Sequence, residues 1–286
     1  MKAILRRLPL VRELLSLRDA TVSLDRRLAN LQVQQAEAFV AQLLAGERYR
    51  DPRRLNRFEA QVFSQSGEDG ILGEIFRRVG STERSFVEIG VGNGLENNTA
   101  YLLAQGWRGR WLDGDRAALR EARRHFQGPI AEGRLVVRES VVTAENVAGL
   151  LDDLEVPNEW DLLSIDVDRN TYYVWRALRE RRPRVVVVEY NATFPPSDEW
   201  VVAYDPAKGW NSSSYFGASL KSYELLGREL GYSLVGCGLA GTNAFFVRDD
   251  LVADRFEPPL TAEHHYEPPR YWLARLRFGH RRCFTD

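Results

Sequence analysis

Four residues at alternate positions carry the first chemical signal: Glu88, Gly90, Gly92 and Gly94, in the run Phe86-Val-Glu-Ile-Gly-Val-Gly-Asn-Gly94. An apolar run that ends in an acid and spaced glycines suits a strand feeding a tight loop. Without Cβ atoms, the backbone can turn sharply and approach a ligand closely. Trp111-Leu-Asp113 is a second apolar run ending in a carboxylate, the group that can bind a ribose diol. Together these runs indicate a site for a nucleoside cofactor. The glycine spacing is G-x-G-x-G, with Leu95 where a dinucleotide fingerprint has its third glycine. Glu88 would repel a pyrophosphate and suits the amino and sulfonium charges of S-adenosylmethionine, which is therefore expected ahead of NAD.

Further candidates lie at the ends of later apolar runs. Asp115 reads as a helix cap. Glu139 and Ser140 follow Leu135–Arg138 and are placed to reach an adenine, since ligands of open α/β sheets bind beyond the carboxyl ends of the strands. Asp166 ends the next run and is expected at the reaction centre, as a general base. Glu189-Tyr190-Asn191 ends the one after. Asp166, Glu189 and Asn191 together form an oxygen set suited to Mg²⁺, which would orient an acceptor hydroxyl and lower its pKa. Asp168 and Asn170 read as turn and cap residues rather than catalytic ones. His264 and His265, in a Pro-rich arm, are alternative bases if that arm folds over the cleft. The long connection 192–215 carries Trp200, Tyr204, Trp210 and Tyr215. Aromatics beside Asn, Asp and Lys suit stacking on sugar rings, and with Tyr190 they are the expected acceptor platform.

The elements that must position these residues show as alternating textures. Strand-like runs at Phe86–Ile89, Arg110–Leu112, Leu135–Arg138, Leu162–Ile165 and Val185–Glu189 are separated by helical stretches at 97–105, 116–126, 144–154 and 171–181, with another at 67–78 before them. This alternation predicts a parallel sheet with helices on both faces, and the all-valine run Val185–Val188 predicts a strand buried on both sides. A helix at Ser219–Leu230 precedes Ser233–Gly236 and Ala244–Val247, whose link is too short for a parallel crossover. The last strand is therefore expected to run antiparallel.

The chain has 286 residues, enough for one large α/β domain with an appendage. Residues 1–58 read as a helical extension, 59–254 as the catalytic domain and 255–286 as an arm packed on it, with a short helix near Tyr271–Arg277. Leu14, Leu17, Leu24, Leu28 and Leu31 fall on heptad a and d positions, interrupted by Thr21 and Gln35. Two expectations follow: homo-oligomerisation through this helix, or packing of its stripe on the chain's own domain. Charges interrupt the apolar residues of Met1–Leu17, which argues against a signal peptide; a helix on a membrane surface is the less favoured reading. A net charge of −1 implies no broad field for nucleic acid. Two cysteines give no disulfide framework or zinc spacing, in keeping with a reducing, cytoplasmic setting.

The Phe86–Gly94 motif, with Asn97-Asn98-Thr99, Gly106-Trp-Arg-Gly109 and Trp111-Leu-Asp113, resembles the FkbM-type methyltransferases, across about residues 60–250. The resemblance implies a Rossmann-like fold with a seven-stranded sheet ordered 3-2-1-4-5-7-6, the seventh strand antiparallel. It implies that Glu88, Gly90, Gly92 and Gly94 hold the methionine end of S-adenosylmethionine and Asp113 the ribose, with Gln65, Asp69 and Asn98 lining the same pocket. Asp166, Glu189 and Asn191 are similar to metal positions of catechol and macrocin O-methyltransferases, except that this chain has Glu where Asp is common and Tyr190 intervenes. The implied activity is O-methylation of a sugar or glycan hydroxyl. An NAD-dependent oxidoreductase and a non-catalytic assembly module are the competing expectations.

Overall fold

The computed structural model describes residues 9–273 and 283–284. Residues 9–44 form one long helix, α1 (Pro9–Leu44), for which the sequence supplies a proline at the first position and no interior glycine. Two short 3₁₀ turns, Glu47–Tyr49 and Leu55–Phe58, lead to α2 (Glu68–Val79). Then strands and helices alternate: β1 (Ser85–Ile89), α3 (Ala100–Ala104), β2 (Arg108–Asp113), α4 (Arg116–His125), α5 (Gln127–Ala131), β3 (Leu135–Glu139), α6 (Val147–Asp153), β4 (Leu162–Ile165), α7 (Thr171–Ala177) and β5 (Val185–Glu189). The chain closes with α8 (Leu220–Leu230), β6 (Tyr232–Cys237), β7 (Asn243–Arg248), α9 (Asp249–Val252) and α10 (Ala262–His265).

The strands form one sheet in the order β3-β2-β1-β4-β5-β7-β6. β1 to β5 are parallel, and β7 runs antiparallel to both β5 and β6. This is the Rossmann-like methyltransferase fold. The reversal follows from the short β6–β7 link, which can turn the chain back but cannot cross the sheet. The valines of β5 alternate between two cores: Val186 and Val188 join Trp175 and Phe246 on one face, and Val185 and Val187 join Phe245 on the other. Both faces are covered, which is why the run is apolar without alternation.

Several helices begin later than periodicity predicts, because side chains capture their first N–H groups. The Asn97 side chain accepts from Ala100 N at 3.1 Å, and Glu88 takes the N–H groups of Asn98 and Thr99, so α3 starts at Ala100. Asn146 accepts from Thr143 N at 2.8 Å and donates to the Val141 carbonyl at 2.9 Å, which holds 141–146 in a turn ahead of α6. Asp115 caps α4, accepting from Ala117 N and Ala118 N at 2.7 and 3.1 Å.

The N-terminal extension and the arm meet. Arg54, almost fully buried, pairs with Glu257 at 3.0 Å and Glu267 at 3.5 Å, while Tyr49 donates to Glu267 at 2.9 Å. Breaking such a cluster would strand a buried charge, at a cost of about 3–5 kcal/mol. α1 is held only near its end, where Ala36 is buried and Phe39 meets Trp272 edge-on at 5.4 Å. The expected packing of its leucine stripe on the chain's own domain does not occur: Leu14, Leu17, Leu24, Leu28 and Leu31 are all exposed. Residues 271–273 form a turn, and the rest of the helix expected at Tyr271–Arg277 lies outside the described residues, as does the start of the Met1–Leu17 segment. No described helix is long and apolar enough to cross a membrane.

Candidate functional site

A cavity of about 290 Å³ opens at the carboxyl ends of β1, β2 and β4, at the small end of the range for small-molecule sites. Gly90, Asp113, Ser140, Asp166 and Asp168 line it, and residues 206–209 lie across it. β1 is flanked by β2 on one side and β4 on the other, so Asp113 and Asp166 face one crevice from two sides.

The glycine loop is shaped by contacts on both of its surfaces. Gly90 has φ +84°, and a Cβ there would sit 1.6 Å from the Asp166 carbonyl oxygen, so β1 and β4 can separate into a crevice only over a glycine. Gly92 has φ +54° and nothing within 4 Å of its Cβ position; it does not line the cavity, but its N–H turns toward Asp113, which does. At Gly94 the Cβ position is taken by Trp111 and Phe126, so this glycine serves packing. Leu95 is buried in the same core and does not fill the cavity.

Asp113 is held by two backbone donors. Gly92 N reaches its Oδ2 and Asp115 N its Oδ1, each at 2.7 Å. Each oxygen keeps a second lone pair, which leaves the carboxylate able to receive two vicinal hydroxyls. Ser140 stands beside it, its N–H bonded to the Asp113 carbonyl at 2.9 Å. Glu139 is exposed, with Arg116 at 3.8 Å, and does not line the cavity.

Glu88 is buried behind the loop instead of lining the cavity. Its carboxylate accepts from Asn98 N at 2.8 Å, Thr99 N at 3.2 Å and the Thr99 hydroxyl, and Thr99 in turn receives Trp111 Nε1 at 2.8 Å. Burial still pushes its carboxyl up to about 7. Glu88 therefore anchors the segment leading into α3, and Asn98 extends the anchor by donating to Ser164 at 3.0 Å. Asp69 plays a similar part elsewhere, accepting from the N–H groups of Val62, Phe63 and Ser64 at 2.7–2.9 Å. Gln65 is exposed and its carbonyl accepts from the Gln61 side chain. None of these four lines the cavity.

Carboxylates accumulate on the β4 side. Water reaches Asp166 through the cavity, yet the surrounding protein, and after it Asp168, push the Asp166 carboxyl up to about 7. Glu189, at the end of β5, is raised well above the usual carboxylate range by burial and then by Asp166 and Asp168. Asp168 was read from sequence as a turn residue. It does adopt a left-handed φ of +51°, but it also lines the cavity, and burial raises its pKa. A strained non-glycine residue at a ligand cleft is a functional signal that sequence could not display. Lys208, expected with the aromatic loop as part of the acceptor platform, lines the cavity and pairs with Asp205 at 2.9 Å, while Asn170 donates to the Asp205 carbonyl at 3.0 Å.

Other expectations are corrected by packing. Asn191 is fully buried, donating both amide hydrogens to the Ser214 and Phe216 carbonyls at 2.8 and 2.9 Å and accepting from Thr193 N at 3.1 Å. It does not line the cavity. Among the described residues no group of three His, Cys, Asp or Glu side chains is spaced to hold one. The expected Mg²⁺ set thus does not fit these residues. Tyr190 is fully buried, its hydroxyl donating to the Glu267 carbonyl at 2.6 Å, so it cannot stack on an acceptor. His265 is buried, with Nε2 3.1 Å from the Glu257 carbonyl oxygen, and burial drives its pKa down to about 3. His264 faces Glu257 at 3.2 Å and Arg54 at 3.4 Å. Both rings belong to the arm's ion cluster, docked there by Ala262 N on Glu224 at 2.7 Å, and neither lines the cavity.

The aromatic loop divides. Trp200 stacks on Phe194 at 4.3 Å, and Tyr204 donates to Glu145 at 2.6 Å. Trp210 and Tyr215 are exposed, with Arg169 4.9 Å from the Tyr215 ring centre.

No known family model matches this chain, and no curated protein does. Among solved structures, one described only as a candidate O-methyltransferase from Klebsiella pneumoniae is 17% identical, covering 75% of this chain and 98% of that chain with a TM-score of 0.45. The N-terminal domain of EvdMO1 with SAH bound is 13% identical over 67% of this chain and 81% of that one, TM-score 0.41. The methyltransferase domain of bacterial CtHen1 is 13% identical over 64% and 97%, TM-score 0.39. The fold assignment rests on strand order and direction, not on these likenesses.

Proposed function

We propose that the chain is an S-adenosylmethionine-dependent O-methyltransferase whose acceptor is a sugar or glycan hydroxyl. One observation carries the cofactor half of this reading: the charge of the cavity. Three carboxylates, Asp113, Asp166 and Asp168, line it against one cation, Lys208, which is already paired with Asp205. Such a lining opposes a dinucleotide's pyrophosphate and suits a cofactor with positive amino and sulfonium groups. The spare lone pairs of Asp113, which Gly92 N and Asp115 N hold in place, fit its ribose.

The cofactor would supply an electrophilic methyl group. The protein's own part is binding, orientation and the handling of one proton. Asp113 fixes the ribose, and the Asp166 carboxylate takes the proton of the acceptor hydroxyl as oxygen attacks. The surrounding protein and then Asp168 raise the basicity of Asp166, which a base working near neutral pH requires. Residues 206–209 complete the lining of the crevice beside Asp166 and Asp168. The exposed rings of Trp210 and Tyr215 support a sugar-like acceptor, because flat apolar faces beside polar groups suit pyranose rings.

Titration of the purified chain with S-adenosylhomocysteine and with NAD separates the two cofactor classes. Binding of the first alone, with transfer of a labelled methyl group to a glycan pool, is the expected outcome. Binding of NAD alone would overturn the reading. Cofactor binding without transfer to any hydroxyl acceptor would leave the assembly module.

A further inference from the structure

The α1 leucines stand in water. Their exposure runs from 54% at Leu31 to 61% at Leu17, and burying a leucine is worth about 1.5–3 kcal/mol. They do not belong to the stripe that meets the arm: Ala36 is buried, whereas Leu28 and Leu31, about two turns and one and a half turns earlier, are open. Leu14, Leu17, Leu24, Leu28 and Leu31 keep the 3-4 spacing of a coiled-coil seam, with Thr21 and Gln35 completing the register.

Charge selects the occupant of this seam. Between Glu13 and Glu37 the helix carries three arginines and four carboxylates, a near-neutral balance that gives no attraction to an anionic lipid surface. At the seam's borders, Glu13 takes a g position and Arg18 the following e position. In a parallel pair these two meet across the interface as opposite charges. In-register parallel pairing also sets Gln35 against Gln35, where the amides satisfy one another, while the Thr21 hydroxyl already donates to the Leu17 carbonyl of its own helix at 2.9 Å. The antiparallel alignment that keeps Leu24 on Leu28 would set Gln35 against Leu17, leaving its amide without a partner.

We infer that α1 joins α1 of a second copy of this chain as a parallel, in-register, two-stranded coiled coil. The two catalytic domains then lie at the same end of a rod about 54 Å long, since a helix rises 1.5 Å per residue over 36 residues.

Light scattering on the full chain should give the mass of two copies, and Leu24→Glu with Leu28→Glu should give one, with the affinity for S-adenosylhomocysteine changed less than twofold. A Thr21→Cys variant in a Cys283→Ser background tests orientation without depending on the double variant. In a parallel pair facing a positions lie within disulfide reach, so mild oxidation should link most chains, whereas Asp19→Cys on the outer face should not link. A monomeric wild-type chain, a trimer, or equal linking at both cysteines would overturn the proposal. Binding of the monomeric chain to phosphatidylcholine–phosphatidylglycerol vesicles, lost in the leucine variant, would replace it with a lipid-facing helix.

Discussion

Asp113 and Asp166 close one cavity from the two strands that flank β1, and their surroundings are opposite. Asp113 receives two backbone N–H groups at 2.7 Å, one from the glycine loop and one from the start of the next turn. Asp166 stands among further carboxylates, with its pKa pushed up to about 7 by burial and by Asp168. A carboxylate satisfied by fixed backbone dipoles is suited to binding, because its geometry and charge do not change. A carboxylate held near neutrality by unfavourable neighbours is suited to moving a proton. The difference thus separates a binding side on β2 from a reactive side on β4.

The largest expected effect tests the reactive side. Asp166→Asn removes the base with little change of shape, and turnover should fall by about 100-fold or more. The dissociation constant for S-adenosylhomocysteine, read by calorimetry, should move less than about threefold. A variant that turns over normally would remove Asp166 from the chemistry and erase the contrast. Next in size is Asp113→Ala, which deletes charge-assisted bonds worth about 1.5–3 kcal/mol and should weaken cofactor binding by about 10- to 100-fold. Turnover at saturating cofactor should drop far less, and a loss confined to turnover would reverse the two roles.

The smallest effects are those of pH, and they sharpen the comparison. Asp166 acts as a base only when deprotonated, so the rate at saturating substrates should rise with pH and level off above about 7. Stability should move the other way. Glu88 titrates near 7 and Glu59 near 8 in the folded chain, both raised chiefly by burial, whereas unfolded carboxylates have lost their protons by about pH 5. The folded state therefore binds more protons, and stability should fall as pH rises from 6.5 to 8.5. Below 6.5, buried His265, with a pKa near 3, opposes this trend, because there the unfolded state holds the extra proton. Denaturant titrations at pH 6.5 and 8.5 measure the fall, and Glu59→Gln should lessen it. A rise over that interval would mean that the carboxylates are compensated by groups not identified among their neighbours.

Much of the fold could be read from the chain alone. The valine run of β5 declared its two-sided burial, and the short β6–β7 link declared the antiparallel strand, because backbone geometry permits few alternatives at either place. The glycines at 90 and 92 were equally legible, since both take a left-handed backbone and, at Gly90, only a residue without Cβ can press against the neighbouring strand. Glu88 was found but its direction was not: sequence places it on β1, while its reach to Asn98 and Thr99 depends on where the next loop folds back. Asp168 was passed over because a turn residue and a cavity residue look alike in one dimension.

What the sequence determined by itself was therefore local and periodic: the alternation of strands and helices, the reversal of the last strand, the crevice glycines and the leucine spacing of α1. Which polar side chains keep a free valence was decided only by tertiary packing. Asn191, Tyr190 and the two arm histidines are chemically able to act, but partners supplied by the folded chain, from seven residues away to seventy-seven, already occupy them. The reason is physical: a buried polar atom must be paired, and the identity of its partner is a property of the assembled chain.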